Sequence, residues 1–169
     1  RQDLDDRLGR RRMIAEARLM VRLHRIGLNV PILYDCDIEQ QQLVMSNIPG
    51  QPLIELLNDR SIADDVVQNH LRSAGRSIRM LHRQAIVHGD LSTNNIIIQP
   101  SGEAVLIDFG LAKIEFETEL YGIDLHVLFE ILGASHPHRN HAMDAVLEGY
   151  TQCEKELGPP ASTPGGDPI

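Results

Sequence analysis

Apolar residues recur at helical intervals through residues 6–26. Ile14, Ala17 and Val21 form one row and Leu19, Leu23 and Ile26 another, among good helix formers and ahead of Gly27. That period predicts a helix from Asp6 to Ile26, stopped by the glycine. After Pro31 the pattern shortens. Ile32–Cys36 and Leu43–Met45 are brief apolar runs separated by a polar, turn-like Asp37–Gln42, which predicts an antiparallel pair. Pro49, Gly50 and Pro52 then punctuate the passage into a short helix over Leu53–Asn58. The helical period returns at Val67, His70, Leu71, Ala74, Ile78 and Leu81, predicting a long buried helix that Asp64 caps and that ends at His82. Ile96–Ile98 and Val105–Ile107, joined by Gln99-Pro-Ser-Gly-Glu-Ala104, predict a second hairpin. Helices follow around Leu125–Leu132 and Ala142–Tyr150, and from Gly158 the chain is Pro, Gly and Ser rich without period, as expected of a disordered tail over 158–169.

A chain of 169 residues with 42% hydrophobic content has the size of a single domain with one core. No apolar run approaches the length of a membrane span, which needs about 18 residues, and none near the start has the form of a secretory signal. A soluble, intracellular protein is expected. Cys36 and Cys153 are far apart and in no ligand spacing, and read as ordinary thiols of a reducing compartment. The formal charge of -8 disfavours unaided binding of a polyanion. The local exception is the basic run of Arg7, Arg10, Arg11, Arg12, Arg18, Arg22 and Arg25, for which a solvated helix face is favoured over a patch for phosphate or an acidic partner. The start at Arg1 rather than Met is read as the mark of a fragment or an incomplete gene model.

The chemistry-bearing signal is His88-Gly-Asp-Leu-Ser-Thr-Asn-Asn95, followed by Asp108-Phe-Gly110 directly after the second hairpin strand. Phosphoryl transfer asks for positioning and charge neutralisation: one carboxylate faces the attacking hydroxyl and other oxygens hold magnesium. Asp90 is the candidate catalytic base, Asn95 a second metal ligand and Asp108 the principal magnesium ligand. His-x-Asp alone is a weak triplet. Its spacing to Asn95, the two short strands and the Asp-Phe-Gly turn give it weight together. Glu16, inside the first helix, sits where a kinase-type fold places the glutamate that pairs with a phosphate-anchoring lysine, with a solvated glutamate as the plain alternative. Lysine occurs only at 113 and 155, beyond the catalytic loop, and no glycine-rich loop precedes Glu16, so the first strands of a small lobe are missing from this sequence.

These residues resemble the small atypical serine/threonine kinases of the KEOPS (EKC) tRNA-modification complex, distant relatives of the RIO kinases. The resemblance rests on Glu16-Ala-Arg18, the His88–Asn95 loop, Ile107-Asp-Phe-Gly-Leu-Ala112 and Ile123-Asp-Leu-His-Val-Leu128, and covers roughly residues 12–152. It implies an α+β, protein-kinase-like fold over 1–157, with a partial N-lobe and hinge over 1–47 and a mainly helical C-lobe over 48–157. Leu43-Val-Met-Ser-Asn-Ile-Pro-Gly50 is similar to a hinge, with Met45 as gatekeeper, the Ser46 and Ile48 backbones facing adenine, and Ile97 and Ile107 lining the nucleotide pocket. Only residues 113–121 separate Ala112 from the next helix, leaving no room for an ordinary activation segment or the usual peptide docking. Asp124 is the counterpart of a buried aspartate that holds the catalytic-loop backbone, or simply a carboxylate near a helix N-terminus. The resemblance further implies ATP and Mg2+ as cofactors, and a cytoplasmic or nuclear location. It implies an ATPase or kinase role beside the tRNA threonylcarbamoyladenosine synthase and other KEOPS subunits, with tRNA met indirectly and no membrane. The basic tail common in such kinases has no match in Gly158–Ile169.

Two rivals stand beside this reading. Small-molecule kinases of the aminoglycoside or choline type share the His-Gly-Asp loop, and a kinase-like module lacking its anchoring lysine can be a non-catalytic binding domain. His136-Pro-His-Arg-Asn-His141 is assigned no site, because neither helix nor hairpin geometry converges its three rings.

Overall fold

Helix α1 (Gln2–Arg25) opens the chain in the computed structural model, which describes residues 2–158 and the side chains of residues 7–158. Its inward side differs in part from the expected one: Met13, Ala17, Leu19, Met20 and Leu23 are buried, whereas Val21 and Ile26 are exposed. The two methionines complete an apolar face with Ala17, Leu19 and Leu23, and Val21 and Ile26 fall outside it. Leu28 N–H closes back on the Leu23 carbonyl, and Gly27 takes φ +80, the left-handed turn that ends helices.

β1 (Leu33–Asp37) and β2 (Gln42–Met45) form the expected antiparallel pair, with Leu33 opposite Met45 and Asp37 opposite Gln42. Asp37 Oδ1 accepts from the Glu39 and Gln40 N–H groups at 2.9 Å each and shapes the turn. A two-residue strand β3 (Gln51–Pro52) leads directly into α2 (Leu53–Asn58).

The long helix α3 (Asp64–His82) buries Val67, Leu71, Ala74, Ile78 and Leu81. Asp64 is not its cap. Ala63 holds that position without a side-chain hydrogen bond, and the Asp64 carboxylate pairs instead with Arg139. Against α3 runs α5 (Ala142–Leu157), and the two approach through a pair of glycines. A Cβ on Gly75 would stand 1.9 Å from the Val146 carbonyl oxygen, and one on Gly149 2.0 Å from the Arg72 carbonyl oxygen.

Between these helices the chain forms β4 (Ile86–Val87), β5 (Ile96–Ile98), β6 (Ala104–Leu106) and β7 (Lys113–Ile114), then α4 (Thr118–Ser135). β5 and β6 are the predicted hairpin, with β3 added to its outer side, and β4 pairs antiparallel with β7. One apolar cluster runs through α1, α2, α3, α4, α5 and the hairpin, from Leu19 to Val146. The catalytic-loop segment is thereby clamped between packed elements rather than left on a free loop. No helix among the described residues is long and apolar enough to cross a membrane. Both cysteines are free thiols. The tail expectation lies, from residue 159 on, outside the described residues.

Candidate functional site

β4 feeds the segment His88–Asn95, and the pairing of β4 with β7 brings residues 110–112 beside it. Gly89, at φ +80, is needed there, because a Cβ would meet the Leu111 carbonyl oxygen at 2.5 Å. His88 is fully buried. Its Nε2–H donates to the Ile107 carbonyl at 3.0 Å, and Nδ1 lies 3.4 Å from the Asp90 N–H. Burial pushes the His88 pKa below the ordinary histidine range despite the opposing pull of Asp124, so a neutral ring ties the loop after β4 to the segment after β6.

Asp90 and Asn95 meet directly. Asn95 Nδ2 donates to the Asp90 backbone carbonyl at 2.9 Å and to Asp90 Oδ2 at 3.1 Å. Asn95 is buried while Asp90 is exposed, so the asparagine holds an open carboxylate in place from below. Its amide nitrogen donates to Asp90 twice, and Oδ1 is the acceptor that this side chain keeps.

Asp108 follows β6 at φ 62, a left-handed conformation that short polar side chains tolerate better than others. Oδ1 lies 3.4 Å from the Gly110 N–H. Phe109 turns inward, only 1% exposed, with its ring 5.3 Å from that of His88. Glu16 reaches this turn from α1: its carboxylate lies beside Gly110 and the Phe109 backbone, near enough to Asp108 for the two charges to repel. Partial burial first, and then Asp108, raise the Glu16 pKa. Two carboxylates from separate elements, one of them penalised when charged, form a place where a cation relieves the repulsion.

The structure thus gathers Glu16 with Asp108, and Asp90 with Asn95. Met45 stands on β2 at 38% exposure, Ile97 on β5 is buried, and Ile107 is half-buried beyond β6. Among the described residues no hydrogen bond or ion pair joins Met45, Ser46 or Ile48 to the acidic groups. The Ser46 N–H donates to the Ile32 carbonyl at 2.8 Å and is therefore taken within the β1–β2 region; the Ile48 N–H has no partner among the described residues.

Beneath the loop lies Asp124, in the role the resemblance implied, together with His82, which sequence reasoning missed. Asp124 lies in the second turn of α4, buried. It accepts from the His88 N–H at 2.6 Å and the Gly89 N–H at 3.0 Å, so it holds the loop backbone rather than serving as a helix-end charge. Burial pushes its pKa up, but the hydrogen bonds from His82, Gly89 and His88 outweigh that and hold it below the carboxylate range. His82, fully buried at the end of α3, stacks on Tyr121 at 4.8 Å. The signal was a histidine on the apolar face of a helix. Its partners lie too far along the chain for any local pattern to reveal them.

The three rings near residues 136–141 are engaged separately. His138 binds the Leu57 carbonyl, His141 faces Asp144, and His136 is buried 6.3 Å from His138. Among the described residues no group of three or more His, Cys, Asp or Glu side chains converges as a metal cage.

A model of the RIO domain matches residues 6–117, the stretch that contains Glu16, the Asp90 loop and Asp108. The chain belongs to the RIO-domain family. Its α+β, kinase-like architecture is that of this family, as the resemblance implied. The family implies use of ATP and a divalent metal in general. Among curated relatives the chain is similar to the KEOPS complex subunit Bud32 of Pyrococcus abyssi, 36% identical over 155 residues, covering 91% of this chain and 69% of that one. An EKC/KEOPS complex subunit of Mus musculus is 33% identical over 168 residues, covering 93% and 67%. A probable bifunctional tRNA threonylcarbamoyladenosine biosynthesis protein of Methanoculleus marisnigri is 39% identical over 148 residues, covering 88% of this chain and 26% of that protein. The chain therefore spans between about a quarter and about two thirds of these relatives.

Proposed function

We propose that this chain carries the catalytic segment of an ATP-dependent phosphotransferase or ATPase, an atypical serine/threonine kinase that works as a subunit of a KEOPS-type assembly supporting threonylcarbamoyladenosine modification of tRNA. The observation that carries the chemical part is the Asn95 amide bound to both the carbonyl and the carboxylate of Asp90, with Asp108 on the turn after β6. The relatives' names support the assembly and the tRNA role.

Magnesium, when bound with ATP, neutralises charge on the transferring phosphoryl group. Asp108 supplies its principal carboxylate and Asn95 Oδ1 a second oxygen. Asp90 faces the attacking hydroxyl or water and takes its proton; Asn95 keeps the Asp90 carboxylate from rotating away. Asp124 holds the His88 and Gly89 amides, and so fixes where Asp90 begins. Glu16 adds a second carboxylate beside the Asp108 turn. For adenine, the Ser46 carbonyl and the Ile48 N–H offer one acceptor and one donor beside Met45, with Ile97 and Ile107 as apolar walls.

The test is ATP hydrolysis by the intact protein with its synthase partner and magnesium. Asp108→Ala should abolish turnover and leave the circular dichroism spectrum unchanged. Equal rates in variant and parent would refute the assignment.

A further inference from the structure

Helix α1 meets the core with Met13, Ala17, Leu19, Met20 and Leu23, and the face turned away from them carries Arg7, Arg11, Arg18, Arg22 and Arg25, all exposed. At 3.6 residues per turn these five positions lie within about 60° of one another around the helix, and at 1.5 Å per residue they extend along about 27 Å of its axis. The steps from Arg7 to Arg18 and from Arg11 to Arg22 are each eleven residues, close to three whole turns, so the row runs straight along the helix.

A solvated face explains such a row poorly. No aspartate or glutamate stands three or four positions from Arg11, Arg18, Arg22 or Arg25. Arg7 with Arg11 and Arg18 with Arg22 are instead like-charged neighbours one turn apart, which weakens a helix. Among the described residues those four make no ion pair. Arg22 and Arg25, in the last turn, gain from the helix dipole, but Arg11 and Arg18 are beyond its reach. The cluster also stands in a chain of net charge -8, so it is a local concentration of positive charge against an acidic balance.

We infer that the arginine row of α1 is a docking surface for an RNA phosphate backbone. A straight row of one charge matches a polyanion whose charges repeat evenly. Arginine's planar fork grips phosphate oxygens in pairs. A protein partner would be expected to need a central apolar or aromatic anchor. The row has none, and exposed Leu8, Val21 and Ile26 stand to its two sides rather than as one patch. The choice of RNA among polyanions rests on the tRNA-modification reading above.

The experiment uses the intact protein and a fluorescein-labelled tRNA transcript, with binding followed by anisotropy between about 50 and about 200 mM salt. The parent should bind with an affinity that falls linearly on a log–log plot. Arg11→Gln/Arg18→Gln/Arg22→Gln should bind at least tenfold more weakly at the lowest salt, with a slope shallower by about three. Its circular dichroism and its ATP turnover without RNA should match the parent. A parent that fails to bind at the lowest salt, or a triple variant with the parent's affinity and slope, overturns the proposal. So does a variant that loses binding to poly-glutamate while RNA binding stands, which would assign the row to an acidic protein. Asp108→Ala should keep full RNA affinity. If the parent hydrolyses no ATP yet the triple variant loses RNA, the phosphotransferase reading fails and this one stands.

Discussion

Asp124 Oδ2 lies 3.1 Å from His82 Nε2, with both groups out of solvent, and the same oxygen receives the His88 backbone N–H at 2.6 Å. On its other side His82 Nδ1 lies 2.9 Å from the Tyr150 hydroxyl, which accepts from Arg79 Nη1 at 3.1 Å. An arginine can only donate, so the tyrosine proton turns to Nδ1 and the histidine proton sits on Nε2, facing Asp124. A directed chain of hydrogen bonds therefore joins α5 to the catalytic loop.

Tyr150→Phe removes the middle of that chain and leaves His82 Nδ1 a buried acceptor without a partner. A loss of about 1–3 kcal/mol is expected in urea unfolding, since an unsatisfied buried polar group costs that much. The rate constant for ATP turnover should fall while KM for ATP stays as it was. A variant with parental unfolding midpoint and parental rate would show that the chain does not position the loop.

Gly75→Ala or Gly149→Ala forces a methyl group to within 1.9 or 2.0 Å of a carbonyl oxygen on the facing helix. Overpacking of this kind costs roughly 1–3 kcal/mol, more where backbone must move. Thermal unfolding should show both variants clearly less stable, because α3 and α5 have to separate.

His70, His88 and His136 are each held below the ordinary histidine range, first by burial. A lowered folded pKa means stability that is complete above the unfolded value, about 6.5, and is lost as pH falls from there through the folded value. Asp124, also lowered, adds stability that persists to the carboxylate range and fails only below it. Urea midpoints should therefore drop on going from pH 7.5 to pH 5.5, and drop again near pH 3. A midpoint that rose with acidification across the first interval would contradict the neutral, buried state of His88.

Glu16 has the opposite sign. Its raised pKa gives stability present below the unfolded carboxylate value, about 4.3, and lost as pH rises through the folded one. Glu16→Gln keeps a side chain of the same shape and removes the repulsion with Asp108. Without metal the variant should be more stable than the parent at pH 7 and equal to it near pH 4. Thermal unfolding at the two pH values distinguishes this from a merely solvated glutamate, for which neither value would change.

Much of this was legible along the chain because it depends on local period and spacing. The helices over 53–58 and 64–82 and the hairpin over residues 96–107 carry strong periodic or paired signals, and the structure forms α2, α3, β5 and β6 there. The two-residue strands β3, β4 and β7 carry none, since a pair of residues has no period. Helix α4 begins at Thr118, ahead of the apolar run that betrayed it. The Asp64 cap failed because a distant arginine, Arg139, claims its carboxylate. Asp90, Asn95 and Asp108 could be named from their spacing. The hydrogen bonds from Asn95 to Asp90, the approach of Glu16 to Phe109 and the chain through His82 and Tyr150 could not, because they depend on side-chain direction and on partners dozens of residues away.

The most direct test of the central claim is the effect of magnesium on nucleotide affinity, measured by calorimetric titration of ATP into the intact protein with and without the metal. If Asp90, Asn95 and Asp108 form a magnesium–nucleotide site, magnesium should tighten ATP binding to the parent at least tenfold, about 1.4 kcal/mol, and should give Asp108→Asn no such gain. The same magnesium-dependent gain in both proteins would contradict it.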